Sequence, residues 1–248
     1  VKVKTELVKE TCKAVNGRVP VLVGITDSSL YESIKLAEVA KESGAQALVA
    51  APPFYFALGQ PELVQYFQEL ADKCPLPLYL YNMPSHTKTM IELSTVAEVA
   101  KHPNVVGLKD SSANGVYFCK LLNMFKDRPD FGLYVGPEEM LISVALIGAH
   151  GGVSGGANVY PEIFVETYKA AASKDVDKTL ELQKKLLSVG NELFGFGRFG
   201  SSYIKGIKSA LQLKGICKDV MASPFRKFEA PETEKVKLAV AKLDSLLK

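Results

Sequence analysis

The sequence has few cysteines, little net charge and no long hydrophobic segment, and each shortage excludes a class of protein. Its 4 cysteines form neither a zinc motif nor a C-x-x-C pair, and in a chain of 248 residues they predict reduced, mostly buried thiols in a cytoplasmic protein. The 30 basic and 27 acidic residues are interspersed, whereas a nucleic-acid partner would require a clustered basic face. Every apolar run is shorter than the ~20 residues of a membrane-spanning helix, and the N-terminus lacks the apolar core of a signal peptide. We therefore expect neither a membrane nor a nucleic acid as partner.

What the sequence does contain is a repeat of short apolar runs and amphipathic segments, with the ~30-residue period of a β–helix–β unit. Six runs rich in Val, Leu and Tyr begin near Val21, Ala47, Leu76, Val105, Leu133 and Gly152. Their continuous hydrophobicity is typical of parallel strands that are covered on both faces. Beyond the last run the pattern predicts helices over residues 161–173, 175–194, 203–213 and 231–247. The sequence thus predicts a single domain, in which residues 1–160 form βα units and helices in 161–248 complete and extend them.

Several helix boundaries are marked by local signals. The run Asp27–Ser29 predicts an N-terminal cap for a helix that Gly44 ends. Pro61 stands where the first turn of a helix tolerates proline. Thr95, three residues before a glutamate, predicts a capping box at the start of another helix.

The alternation of strands and helices fits either a (β/α)8 barrel or an open, doubly wound sheet. The unusual residues all follow strand ends, which favours the barrel, and no G-x-G-x-x-G motif follows the first strand. We therefore predict an α/β fold of the TIM-barrel class, with six βα units in this chain and a C-terminal helical extension. Because the chain opens on a helix over residues 2–15, a closed barrel would need about two more strands upstream.

One lysine stands where a charge is costly to bury. Lys109 follows the apolar run Val105–Leu108, and burial there would favour the neutral amine that can attack a ketone carbonyl. The alternative is that Lys109 forms an ion pair with Asp110 at a strand edge. Spacing alone leaves both interpretations open.

Three other features follow strands, and each has a structural alternative. The phenol of Tyr81 could relay protons beside an imine-forming lysine, or it could only satisfy its own hydroxyl in the core. Tyr55 lies in a proline-rich loop that could aim its side chain, or that could be no more than a loop. The run Gly151–Gly156 allows backbone N–H groups to approach a carboxylate or phosphate, and it equally suits a tight turn.

Six segments together resemble those of a known family in their order and spacing: PVLVGITD, APPFY, LYLYNMPS, VVGLKDSS, YVGPEEM and GAHGGVSGGANVYPEIF. The family is the dihydrodipicolinate synthase / N-acetylneuraminate lyase superfamily, and the resemblance extends from the first helix to the C-terminus. Its most specific parts are Y-N-x-P, which begins at Tyr81, and G-L-K-D, which contains Lys109. Members are class I aldolases and related lyases on a (β/α)8 barrel, usually tetrameric, that act on pyruvate or related 2-keto acids.

The resemblance implies that Lys109 forms the imine and that Tyr81 relays protons. It matches Tyr55 to a tyrosine that reaches into the site of a neighbouring subunit, so we expect a homo-oligomer, either a tetramer or a dimer. It also implies that backbone groups around Gly136 and Val153, together with Ser154, contact the pyruvyl group. Neither a metal nor a dissociable cofactor is expected, because the lysine itself supplies the electrophile.

Two features depart from the family pattern. The G-T-T-G-E loop, whose threonines hold the substrate carboxylate, is missing, so we expect either a fragment of a longer protein or a compromised catalyst. In addition, His86 stands where dihydrodipicolinate-forming members carry an arginine that clamps the carboxylate of the second substrate. His86 could contact substrate differently or could only face solvent, and in both cases the arginine is absent.

We therefore expect a Schiff-base-forming aldolase or lyase of 2-keto acids that is not a true dihydrodipicolinate synthase. A dehydratase or hydratase-aldolase that uses the same imine is the nearest alternative. A paralogue that binds a keto acid without catalysis is the second alternative, and the missing loop is the reason to consider it.

Overall fold

Five parallel strands form the centre of the first of two units into which the chain divides, Val1–Gly136 and Pro137–Lys248. The structure is a computed structural model, and it describes residues 2–247. Strands and helices alternate along the first unit: α1 Lys2–Val15, β1 Leu22–Gly24, α2 Leu30–Glu42, β2 Ala47–Ala50, α3 Gln60–Lys73, β3 Leu78–Asn82, α4 Pro84–Thr87, α5 Leu93–Val99, β4 Val105–Asp110, α6 Gly115–Met124 and β5 Gly132–Val135.

The five strands pair in the order in which they occur in the chain, so each helical connection leads to the neighbouring strand. Burial alternates along β3, where Leu78, Leu80 and Asn82 are buried while Tyr79 and Tyr81 are half-buried. This alternation follows from the pleat, which turns successive side chains to opposite faces. The ends of β3 and β4 therefore present two sets of side chains, one on each face of the sheet.

The second unit is mainly helical. Its elements are a short 3-10 helix Glu138–Met140, α7 Leu141–Leu146, β6 Gly151–Gly152, a second 3-10 helix Gly156–Asn158, α8 Pro161–Ala172, α9 Val176–Leu193, α10 Ser202–Leu213 and α11 Ala230–Leu246. Helix α9 packs against both α8 and α11. The hydroxyl of Tyr160 donates to Asp244 at 2.9 Å, and Lys214 donates to the same carboxylate at 3.0 Å, which ties α11 to the start of α8 and the end of α10.

The structure confirms most of the predicted elements. The six strands begin within two residues of the predicted positions, and the four C-terminal helices match the predicted ranges to within two residues. Ser29 caps α2 as expected, and Gly44 follows that helix with a φ of 89°. The capping box at Thr95 is wrong: Thr95 lies inside α5, and its hydroxyl bonds to Gln60 Oε1 at 2.6 Å. The division at residue 160 stays a prediction.

All four cysteines are free, but the expectation that they are mostly buried is wrong for two of them. Cys12 and Cys74 are buried, and burial raises the pKa of the Cys74 thiol to about 11. Cys119 and Cys217 are exposed. Of the helices described between residues 2 and 247, none has the length and apolar composition needed to cross a membrane.

Candidate active site

Tyr81 and Lys109 lie side by side at the ends of β3 and β4 in the first unit. The two residues are register partners, and the strand pleat turns both side chains to the same face of the sheet. Lys109 Nζ lies 4.3 Å from the centroid of the Tyr81 ring, and both residues are half-buried. The arrangement places a primary amine and a phenol where both can act on one carbonyl group.

The alternative in which Lys109 forms an ion pair with Asp110 is wrong, since the structure describes no such pair. Asp110 is fully buried and, as the next residue of the strand, turns to the opposite face. Its carboxylate accepts hydrogen bonds from Asn82 Nδ2 at 2.7 Å, from Ser112 N at 3.2 Å and from Ser112 Oγ at 2.9 Å. Burial raises the pKa of Asp110, and these hydrogen bonds oppose the rise.

Gly136 and Ser111 occupy one space beside Tyr81. Ser111 Oγ lies 3.5 Å from the Tyr81 hydroxyl, at the limit of a hydrogen bond. A Cβ atom at position 136 would lie 1.9 Å from Ser111 Oγ, so Gly136 leaves the room that this hydroxyl fills. The Gly136 amide donates to Asp110 O at 2.7 Å, which holds the end of β5 against β4. The structure thus brings Lys109, Tyr81 and Gly136 together around Ser111.

The other two candidates of the first unit lie on exposed segments. His86 belongs to the short helix α4 and is exposed, with its Nδ1 atom 3.0 Å from Ser85 Oγ. Tyr55 is 81% exposed and packs edge-to-face on Phe56, with ring centroids 5.1 Å apart. Neither residue makes a described contact with Tyr81 or Lys109. Their expected contacts with substrate and with a second subunit stay predictions.

Val153 and Ser154 lie in a glycine-rich loop of the second unit. Val153 is 52% exposed, whereas Ser154 Oγ is buried and has no hydrogen-bond partner among the residues that the structure describes. The loop begins at Gly151, whose φ of 151° is in the region that favours glycine. At Gly155 a Cβ atom would lie 1.6 Å from the Tyr203 hydroxyl, so the close approach of Tyr203 requires glycine at this position too.

Glu138 binds this loop through a hydrogen bond from the loop backbone. Its Oε2 atom accepts a hydrogen bond from Gly156 N at 2.9 Å, whereas Oε1 is buried with no partner within residues 2–247. Burial raises the pKa of Glu138 to about 7, the charge of Glu139 adds to the rise, and the loop amides oppose it. The carboxyl group has room because Gly156 and Gly190 have no side chains. A Cβ atom at either position would lie about 3 Å from Oε1 and crowd it.

Sequence reasoning assigned no role to Ser111, Asn82 or Glu138, although all three lie in the motifs that carried the resemblance. Period-2 alternation could have found Ser111, because the residue two positions after Lys109 shares its face. No local signal marks the partners of Asn82 and Glu138. The part of the chain that the structure describes contains no group of three or more His, Cys, Asp or Glu side chains that could hold a metal ion.

Comparison with known proteins finds a family model, solved structures and curated proteins that match this chain. The model of the "Dihydrodipicolinate synthetase family" matches residues 1–243. A dihydrodipicolinate synthase structure from Bacteroides thetaiotaomicron is 48% identical, with a TM-score of 0.94, and the match covers 97% of this chain and 81% of that one. The structure of YagE from Escherichia coli K12, a prophage protein of the same family in complex with pyruvate, is 25% identical with a TM-score of 0.89, covering 97% and 80% of the two chains.

A curated relative of a second kind is the "Probable 2-dehydro-3-deoxy-D-pentonate aldolase YjhH" of Escherichia coli K12. It is 32% identical over 236 residues, which are 94% of this chain and 77% of that protein. The chain spans less than two thirds of the length of some curated relatives that it matches, 64% in one case. The likeness to the solved structures confirms the predicted fold class, an α/β fold of the TIM-barrel type with C-terminal helices.

Proposed function

Because the chain belongs to the dihydrodipicolinate synthetase family, we propose that it is a class I aldolase or lyase that binds pyruvate or a related 2-keto acid on Lys109 as a Schiff base. The observation that carries the proposal is the 4.3 Å approach of Lys109 Nζ to the Tyr81 ring at the ends of adjacent strands. The alternative role of Lys109, an ion pair with Asp110, has no contact to support it.

In the proposed reaction the neutral amine of Lys109 attacks the 2-keto carbonyl and gives a carbinolamine. Tyr81 donates a proton to the departing hydroxyl, so that water leaves and a protonated imine forms. When the C3–C4 bond breaks, its electron pair passes to the protonated imine and gives an enamine, while the C4 hydroxyl loses its proton and C4 leaves as an aldehyde. The enamine is then protonated at C3. Hydrolysis of the imine releases the keto acid and frees Lys109. Condensation with an aldehyde follows the same steps in reverse.

For the substrate class we propose hydroxylated 2-keto acids rather than the aspartate semialdehyde used by dihydrodipicolinate-forming members. His86, exposed on α4, replaces the arginine of those members, and one imidazole cannot reproduce the paired donors of a guanidinium group. The relative named as a pentonate aldolase supports this choice, whereas the 48% identical structure carries the synthase name, so the two substrates have to be compared directly. The alternative of a dehydratase or hydratase-aldolase uses the same Lys109 imine.

The experiment treats the protein with borohydride in the presence of pyruvate, titrated to millimolar concentrations, and locates the adduct by peptide mass spectrometry. We expect a reduced adduct on Lys109 that is lost in Lys109→Ala and kept in Lys101→Ala, since Lys101 is exposed and forms an ion pair with Glu98. In a second arm, the protein is assayed for condensation with aspartate semialdehyde and for release of pyruvate from a panel of 4-hydroxy-2-keto acids. Absence of the Lys109 adduct refutes the Schiff-base function and leaves the non-catalytic alternative. Efficient condensation that His86→Ala does not reduce refutes only the substrate class.

We further propose that the protein is a homo-oligomer, with Tyr55 at the contact between subunits. Three consecutive aromatic residues, Phe54, Tyr55 and Phe56, expose 53%, 81% and 77% of their surface. Contiguous exposed apolar surface of this kind is typical of interaction sites. Light scattering that finds a stable monomer at micromolar concentration would refute this proposal without affecting the Schiff base.

A further inference from the structure

We propose that Asn82 and Asp110 are a positioning pair, which fixes the placement of Tyr81 relative to Lys109 from the opposite face of the sheet. This inference rests on the proposed function of Tyr81 and Lys109. Neither member of the pair faces the candidate site, so both would act through the residues that they follow.

The two members of the pair are aligned across β3 and β4 in the same way as the two reactive residues. Asn82 follows Tyr81 directly, Asp110 follows Lys109 directly, and the sheet aligns Asn82 with Asp110 just as it aligns Tyr81 with Lys109. Both members are fully buried. Their side chains are joined by a 2.7 Å hydrogen bond from Asn82 Nδ2 to Asp110 Oδ1. One side-chain bond therefore connects β3 and β4 immediately behind the amine and the phenol.

The pair also anchors the segments around the two strand ends. Asn82 Oδ1 accepts from Ile91 N at 3.0 Å, so the same amide holds the chain that follows α4. The backbone of each member continues the connection, because Asn82 O accepts from Ser111 N at 2.8 Å and Asp110 O accepts from Gly136 N at 2.7 Å. The bonds of these two residues thus link the ends of β3, β4 and β5.

Stability alone does not account for this polar pair. The same face of β3 is apolar at Leu78 and Leu80, which are fully buried. Replacing buried ionic groups by well-packed apolar residues is often neutral or stabilising, so a core of this kind would not need a carboxylate. A directional bond does what apolar packing cannot: it sets one distance between the two strand ends. Reacting groups must be held closely, because a misplacement of about 1 Å can cost ~100-fold in rate.

The test uses three variants at the pair and one matched control. Asn82→Asp replaces the amide donor of the 2.7 Å hydrogen bond with a second carboxyl group, which can bond to Asp110 only while one of the two is protonated. All variants are therefore compared at high pH, which favours two charged carboxylates that repel each other. The double variant Asn82→Asp/Asp110→Asn exchanges the two side chains and restores a carboxylate–amide bond. Asp110→Asn alone keeps an oxygen toward Asn82, removes the charge and replaces Oδ2, the acceptor of Ser112 Oγ, with an amide nitrogen. The control is Asn104→Asp, since Asn104 Nδ2, just ahead of β4, lies within hydrogen-bond distance of three backbone carbonyls, those of Ala71 at 3.0 Å, Cys74 at 3.1 Å and Leu76 at 3.2 Å.

Two measurements are made on each protein. The first is the limiting rate and the half-saturating pyruvate concentration of borohydride trapping on Lys109, normalised to the folded fraction. The second is the distance from Lys109 Nζ to the Tyr81 ring in a crystal structure. We expect Asn82→Asp to lower the limiting rate by ~100-fold, with a smaller change in half-saturation, and to lengthen the distance. We expect the double variant to recover most of both losses, Asp110→Asn to lose much less rate than Asn82→Asp because it keeps an oxygen toward Asn82, and Asn104→Asp to lose stability without losing rate.

The possible outcomes separate this inference from the function on which it rests. If the wild-type protein traps no pyruvate, the proposed function fails, and the crystal distances still decide whether the pair positions Tyr81 and Lys109. If Asn82→Asp keeps the wild-type rate or the wild-type distance, the positioning role is overturned. If the control loses rate as strongly as Asn82→Asp, or the double variant recovers neither rate nor distance, general stability explains the effect and the inference is equally overturned.

Discussion

Asp110, the last residue of β4 in the first unit, and Glu138, just after β5 and in the second unit, are both buried carboxyl groups, yet they receive very different numbers of hydrogen bonds. Both oxygens of Asp110 accept hydrogen bonds, from Asn82 and from the amide and hydroxyl of Ser112. One oxygen of Glu138 accepts from Gly156 N, and the other has no partner among the described residues. Burial is the largest cause of the raised pKa in both cases.

The difference teaches that burial alone does not determine what a buried carboxyl group contributes. Hydrogen bonds to the charged form offset the cost of desolvation, so the number of donors sets how readily the group carries its charge. Asp110 has the donors to act as a fixed acceptor that organises two strand ends. Glu138 has fewer, and its pKa of about 7 means that it changes charge near neutral pH. Asp110 is therefore a structural hydrogen-bond acceptor, whereas Glu138 binds a loop and changes its charge near neutral pH.

The largest expected effect comes from replacing each carboxyl group by an apolar side chain. Asp110→Leu leaves the Asn82 amide and the Ser112 amide without an acceptor, and we expect it to lower the free energy of unfolding by about 3 kcal/mol. Glu138→Met removes the acceptor of the Gly156 amide, and we expect a loss of about 1–2 kcal/mol. Urea denaturation of both variants at pH 6 measures the difference. Equal losses would show that donor number does not distinguish the two sites.

A pH-dependent effect is expected from Glu138 and comes next in size. Because its pKa is higher in the folded protein, at about 7, than the usual 4.5, the folded state binds the proton more tightly. The stabilisation is fully present below pH 4.5 and is lost as the pH rises through 7. We expect Glu138→Gln to remove this loss, so that between pH 5 and pH 8 the variant gains on the order of 1–3 kcal/mol relative to wild type. Urea denaturation across that range checks this, and parallel curves for the two proteins would contradict it.

The smallest effect on stability is expected when Asp110 loses one of its hydrogen-bond donors and so has fewer of them, as Glu138 does. Ser112→Ala removes the hydroxyl that donates to Asp110 Oδ2 at 2.9 Å and leaves that oxygen without this donor. We expect a loss of about 1 kcal/mol at pH 8 and a smaller loss at pH 5, because the pKa of Asp110 rises further and protonation relieves the unpartnered charge. Thermal or urea unfolding at the two pH values measures the change. A loss that is the same at both pH values would mean that the hydroxyl does not stabilise the charged form.

The sequence predicted those parts of the fold that depend on local chemistry. The six strands were found because continuous apolar runs are rare outside buried strands, and Ser29 was found as a cap because its hydroxyl acts on its own helix. Thr95 carries the same signal but lies inside α5, where the side chain of Gln60, 35 residues away, accepts its hydroxyl proton. A tertiary contact thus overrode a local pattern.

The candidate site likewise contains some residues that the sequence predicted and others that it did not. Tyr81 and Lys109 were singled out because each stands at a predicted strand end, and the resemblance to the family then implied their joint role; the structure places them as register partners. The residues behind them were not predicted. Asn82 and Asp110 are 28 positions apart, as Tyr81 and Lys109 are, but they are joined by a side-chain hydrogen bond that no local pattern marks, and the same holds for Glu138 and Gly156, which are 18 apart. Hydrogen bonds over such separations depend on the fold and leave no period in the sequence. The roles given to Tyr55, His86, Val153 and Ser154 stay predictions, since they concern molecules other than this chain.

The shared space of Ser111 and Gly136 sets the order in which this region can be redesigned. A side chain at position 136 would collide with the Ser111 hydroxyl at 1.9 Å, so a library that varies position 136 alone samples only proteins in which Ser111 has been displaced. A library that first reduces position 111 to glycine removes the contacts of the Ser111 side chain and opens position 136 to alanine, although Asp110 O would still lie 3.3 Å from the added Cβ atom. To alter the site beside Tyr81, Ser111 must therefore be replaced by a smaller residue before Gly136 is replaced by a larger one.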